Sequence, residues 1–188
     1  MISRKYVGDY RLENVENRNG KVVTKPVYRG DIFIFEKSGE KIVKTRRMFI
    51  RSTVLEWVIL IFSLLINSDK GRVMYISLPL IAVAFPLLYQ SDAAALLMKR
   101  GGEYKREEKD KVTEKMVAAV FISFFFSLCS AVGHIVAWVI SGESTEDAIL
   151  LSLTLAIVFI SWSLFSKRKD LSMTKTGTTV LPDTEDEK

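Results

Sequence analysis

Four apolar stretches, at 52–66, 74–98, 116–140 and 148–165, leave this chain few ways to fold. A bilayer core about 30 Å thick takes on the order of 20 helical residues to cross. Inside it only a helix or a closed barrel satisfies its own backbone. The last three stretches have the length, and the first reaches it if Met48, Phe49 and Ile50 add a turn before Arg51. The expected fold class is all-α in the membrane, with four transmembrane helices forming two helical hairpins. A small N-terminal antiparallel β domain precedes them.

Charge orients the spans. Basic residues crowd the segment before the first span, from Arg4 to Arg51, and return at 99–115 and at Lys167, Arg168 and Lys169. The connection between spans one and two holds only Lys70 and Arg72, and the connection 141–147 holds no basic residue. Basic residues resist translocation, so this alternation predicts a multi-pass protein of the cell membrane with both termini cytoplasmic. The net charge of +5 follows from the same rule, and no nucleic-acid partner is expected. The start of the chain lacks an apolar stretch of the roughly 7–15 residues a cleavable signal needs, so the first span is expected to act as its own insertion signal. The one cysteine, Cys129, lies in mid-span, which excludes an intrachain disulfide.

Residues 1–47 read as a cytoplasmic β domain. Asn19-Gly20 separates apolar-rich segments at 10–15 and 21–28, and Asn-Gly is a strong hairpin signal because both residues tolerate positive φ. Ser38-Gly39 separates 31–37 from 41–45 in the same way. Pro26 cannot donate to a ladder and assigns the second strand to an edge or bulge. The unbroken apolar run Ile32, Phe33, Ile34, Phe35 predicts a third strand covered on both faces. A sheet of about four short strands is marginal alone, so it is expected to lean on the loop 99–115, the membrane surface or another protein.

The remaining segments follow from charge and composition. Residues 48–166 form the transmembrane domain. Its loop 99–115 mixes charges at helical spacing, as in Glu107 and Lys111, and reads as a solvated extension of the third helix. A docking surface for a partner or anionic lipid is the sharper alternative. The tail 167–188 is expected to be disordered from its polar, acidic end.

Within the spans, Ala119, Ser123, Ser127 and Ala131 recur every fourth residue. Such small-residue stripes let helix backbones approach closely, within a bundle or between copies. Pro79 and Pro86 predict a bend in the second span, and a hinge for gating is the less economical reading. Glu56 and Asp92 are carboxylates in the cytoplasmic half of the bilayer under this topology. Both are candidate proton or cation residues; the simpler expectation is interfacial ion pairs with Arg51 and with Lys99 or Arg100. His134 is expected to hydrogen-bond at the outer boundary, with Trp57 and Trp138 as interface anchors.

In one pairing, Glu56-Trp57 in the first of four helices, the chain resembles the small multidrug-resistance exporters. It departs from them in its N-terminal β domain and its strong charge bias, and no site is carried over. There is no Walker-type loop, no nucleophile elbow and no His/Cys cluster with metal-ligand spacing, so no catalytic residue, metal or cofactor is expected. The function expected is a non-catalytic accessory or scaffolding subunit of a larger membrane complex such as a transporter. Its partners would be the lipid bilayer and a membrane protein or a second copy. The alternative is a self-contained small transporter or channel that uses intramembrane carboxylates.

Overall fold

The computed structural model describes residues 4–16, 22–36, 39–66, 68, 69, 71, 73–98, 102–142 and 144–178. Among them, four helical rods are long and apolar enough to cross a membrane. The first is α1 (Glu40–Leu65) and the second is α2 (Met74–Ala82) continued by α3 (Ala84–Leu97). The third runs through α4 (Arg106–Asp110), a π-helical turn (Lys111–Lys115) and α5 (Met116–Ser141), and the fourth is α6 (Thr145–Ser166).

Each rod buries one narrow seam. In α1 the buried residues are Ile42, Phe49, Thr53, Glu56, Leu60 and Ser63; in α6 they are Asp147, Leu150, Thr154, Ile157, Ser161 and Leu164. Steps of three and four residues keep such a seam on one helix face. The contacts run α1 to α3, α2 and α3 to α5, α5 to α6, and α6 back to α1, so the rods close a ring in chain order. Large apolar side chains point outward from every rod, among them Phe62, Phe85, Phe125 and Phe159, while serines, threonines, Gln90 and Glu56 lie inside. A water-soluble bundle would reverse that distribution; hydrocarbon around the rods explains it.

The second rod is interrupted at Val83, between α2 and α3, in the stretch where Pro79 and Pro86 predict a bend. Pro86 has no N–H to donate to the carbonyl of Ala82, and Val83 N–H keeps its helical bond to the carbonyl of Pro79 at 3.2 Å while also reaching that of Leu80 at 3.3 Å. Val83 is fully buried, so neighbouring rods pack against the break.

Two small antiparallel sheets complete the fold. β1 (Tyr10–Glu16) pairs with β2 (Val22–Tyr28) in a two-stranded ribbon. The hairpin predicted on either side of Asn19-Gly20 is thus present, although that turn lies outside the described residues, and β2 is an edge as Pro26 requires. The second sheet has the order β4-β3-β5, with β3 (Asp31–Phe35) between β4 (Tyr104–Lys105) and β5 (Met173–Thr178). Pairing passes from Phe33–Lys175 to Ile32–Gly177, leaving Thr176 as a bulge in β5. Phe35, Tyr104 and Met173 pack onto Ile42, Phe49, Leu97, Val112, Met116 and Leu171, which seats this sheet on one end of the bundle.

Several expectations are corrected here. Residues 41–45 are the first turns of α1, not a strand, and Gly39 (φ 70°) opens a helix instead of turning a hairpin. The reason is tertiary, because Ile42 already belongs to the seam that continues through Phe49. β3 is covered on both edges but on one face only, since Ile34 is 37% exposed. The tail is ordered as β5 through Thr178, because β3 offers it a free edge; residues 179–188 lie outside the described set. The segment 99–115 is helical from Arg106, but it is not simply solvated: Tyr104, Asp110 and Val112 are buried.

Candidate functional site

At mid-bundle each rod contributes one polar side chain to a single layer. Glu56 of α1 and Ser161 of α6 meet where Ser161 Oγ donates to Glu56 Oε1 at 2.6 Å. Gln90 of α3 lies against the same carboxyl group, and its Nε2 donates to Ser123 Oγ of α5 at 3.1 Å. All four side chains are fully buried. On one side the layer is closed by Phe49, Ala93, Val120 and Leu164, and on the other by Leu60, Leu87 and Ile157. Glu56 Oε2 and Gln90 Oε1 are buried with no hydrogen-bond partner among the described residues. Unpaired acceptors in a dry interior are costly, and both belong to this one layer. Beside it, Trp57 Nε1 donates to Ser91 Oγ at 2.8 Å.

The two carboxylates singled out from the sequence therefore part company. Glu56 points into the bundle and makes no pair with Arg51, whose side chain is exposed. Asp92 follows Gln90 by two residues, about 200° around the helix, and faces outward with its side chain 61% exposed. Its partner is Lys111 at 3.5 Å, which also reaches Glu107 at 3.5 Å; Lys99 lies outside the described residues. Glu56 faces the bundle interior and Asp92 its outside.

The small-residue stripe is spent inside the bundle. Ala119, Ser123, Ser127 and Ala131 are all buried. Ser127 Oγ donates to the carbonyl of Ser123 at 2.8 Å, while Ser123 serves Gln90. The close approach extends to α2, where Ser130 Oγ donates to the carbonyl of Ile76 at 3.0 Å. A Cβ on Gly133 would meet Ile76 Cγ1 at 3.1 Å.

Two further polar clusters were not singled out in the sequence. At the end of the bundle away from the β4-β3-β5 sheet, Ser68 Oγ donates to Asp147, and Gly71 N–H donates to Ser68 Oγ at 2.9 Å. Ser144 caps α6 by accepting from Asp147 N–H at 3.2 Å, and His134 and Trp138 line the same crevice as Asp147. At the sheet end, Asp110 gathers the N-terminal segment: Lys5 Nζ donates to it at 2.7 Å and Tyr6 Oη at 2.9 Å. That hydrogen bond pushes the Lys5 ammonium up from its ordinary value. Burial, then the bond to Asp110, pushes the Tyr6 hydroxyl up.

The β1–β2 ribbon is held by its base. Tyr28 Oη accepts from Arg106 N–H at 3.1 Å and donates to the carbonyl of Asp31 at 2.7 Å. Lys105 lies over the rings of Tyr10 and Tyr28 at 5.8 and 5.2 Å. Tyr10 and Tyr28 stack edge to face at the covered end of one ribbon face, and Leu12 and Val22 continue that face 75% and 68% exposed.

A signal for the polar layer was present in the sequence: Glu56 with Ser63 in the first span, Ser123 with Ser127 in the third and Thr154 with Ser161 in the fourth repeat at seam spacing. The chain matches no protein family, no curated protein and no solved structure.

Proposed function

We propose that this chain is a non-catalytic accessory or scaffolding subunit of a larger complex in the cell membrane, such as a transporter. Its four rods anchor it, with both termini on the cytoplasmic side, and the β1–β2 ribbon presents the contact surface. The observation that carries this reading is the ribbon itself. Two strands alone are marginally stable, yet Leu12 and Val22 are bare on its outer face and neither outer edge is paired to another strand among the described residues. An extended segment of a membrane-protein partner fits there by adding a strand and covering those side chains.

The test is purification from native membranes in mild detergent, comparing the natural chain with L12K/V22K. Both positions are exposed, so the bundle is expected to survive the change. A stoichiometric partner that co-elutes with the natural chain and is lost from the variant supports the reading. Identical elution of both as a homo-oligomer overturns it.

Glu56 supports the second reading, a small transporter or channel that uses an intramembrane carboxylate as a proton or cation site. It is buried in the bilayer with one oxygen unbonded, and such residues often serve ion pathways. Under this reading, proton or cation flux into vesicles holding the purified protein is abolished by Glu56→Gln. Asp92 does not add to that support.

A further inference from the structure

The outward face of α1 changes character within one turn. Lys44, Arg47 and Arg51 follow one another at steps of three and four residues, all exposed. None of the three has a hydrogen-bond or ion-pair partner among the described residues. The same face then continues in hydrocarbon as Val54, Leu55, Val58 and Phe62, between 43% and 59% exposed. A groove of about 1020 Å³ runs along Gly39 to Ser52, lined by the three cations together with Ile42, Val43, Met48 and one acid, Glu40.

Three neighbouring basic residues at this end of the bundle are engaged elsewhere. Arg46 turns inward and Nε donates to the carbonyl of Leu97 at 2.7 Å, closing the end of α3. Lys111 holds Asp92 and Glu107. Lys175 pairs with Asp31 at 2.8 Å. Lys44, Arg47 and Arg51 are left unneutralised where the rod leaves its apolar stretch.

We propose that Lys44, Arg47 and Arg51 form a site for one anionic phospholipid. Its phosphate sits over the three cations, with the two guanidinium groups able to grip it by paired N–H donors. Its acyl chains lie along Val54, Leu55, Val58 and Phe62. The polarity sequence of the helix face, three cations followed by four exposed apolar residues, is the polarity sequence of the lipid. The inference is independent of the partner-binding role of the ribbon, which lies on different elements.

The test uses the full chain in nanodiscs of phosphatidylcholine with a minor fraction of phosphatidylglycerol, with retained lipid read by native mass spectrometry. The natural chain is expected to retain one phosphatidylglycerol in preference to phosphatidylcholine. Each single change, K44Q, R47Q or R51Q, is expected to weaken that preference about five-fold, the worth of one basic residue at an anionic leaflet. The triple variant is expected to lose it. The control K167Q/K169Q removes two exposed cations on another element and is expected to leave retention unchanged. An unchanged preference in the single variants overturns the site, and so does an equal loss in the control, which would assign the effect to diffuse charge. Displacement of the lipid by soluble glycerol phosphate would also overturn it, in favour of a free-phosphate site.

Discussion

Ser161 donates to Glu56 across the α6–α1 interface at 2.6 Å, with both side chains fully buried. The bond ties the last rod to the first, between the apolar clusters that hold Phe49 with Leu164 and Leu60 with Ile157 and close the ring on either side of it.

Ser161→Ala removes that donor and leaves Glu56 Oε1 without it. Interhelical hydrogen bonds in membranes contribute about 0.6 to 2 kcal/mol, and a loss of that size is expected in the thermal stability of the detergent-solubilised chain. Combining Ser161→Ala with Glu56→Gln in a double-mutant cycle isolates the pair. A coupling of zero would show that the contact adds nothing to the bundle.

Bulk at the α3–α5 approach is expected to be far worse than lost polarity. Ser123→Ala forfeits one bond from Gln90. Ser123→Phe forces a ring into a fully buried position and is expected to prevent accumulation of folded protein. Normal yield and monodisperse elution of Ser123→Phe would contradict the packing described.

Tyr6→Phe is expected to cost about 1 kcal/mol of local stability, the usual worth of one hydrogen bond. The readout is faster hydrogen exchange in the N-terminal segment with little change in the helices. Lys5→Ala is expected to do less, because its ammonium is largely exposed and the pair is screened. Since the Lys5 ammonium is raised above its ordinary value of 10.5, its contribution is fully present below that pH. It fades as pH climbs through the raised value.

Removing the chain from Met173 onward takes away β5 and one member of the sheet-end core. β3 then keeps only its two-residue contact with β4. Exchange of the β3 amides is expected to rise to the rate of an open edge while α5 and α6 stay protected. Unchanged protection at 31–35 would mean that β5 does not hold the sheet.

In a Cys129→Ser background, single cysteines at Lys70 and Glu143 are expected to react with an impermeant reagent in intact cells. One at the exposed Glu103 is expected not to react. Labelling at Glu103 would invert the orientation proposed from charge.

The spans were legible because apolar length is a strong signal that acts residue by residue. The break in the second rod at Val83 was legible from Pro79 and Pro86, each of which removes a helical donor. The start of α1 was not, because Ser38-Gly39 followed by Lys41–Ile42–Val43 satisfies a hairpin template locally, and the competing helical seam shows only once Ile42, Phe49 and Thr53 are counted together. β5 was hidden by a polar composition that gives no strand signal; the free edge of β3 supplies the order. Glu56 was found but its aim was left between two readings, since its partners Gln90 and Ser161 lie on other rods and nothing local distinguishes a snorkelling acid from an inward one. Asp110 was lost in a charged run whose members look alike until Lys5 and Tyr6 arrive from a hundred residues away.

The β4-β3-β5 sheet joins residues 31–35 to 173–178. During synthesis the third strand therefore waits, with one long edge open, until the fourth rod has emerged and been integrated. The sheet needs residues 31–35, 104–105 and 173–178 at one end of the bundle, which holds only when the first two rods run out and back and the last two do the same. The pairing that completes the sheet thus joins segments about 140 residues apart in the chain, and β3 keeps its long edge open until residues 173–178 reach it.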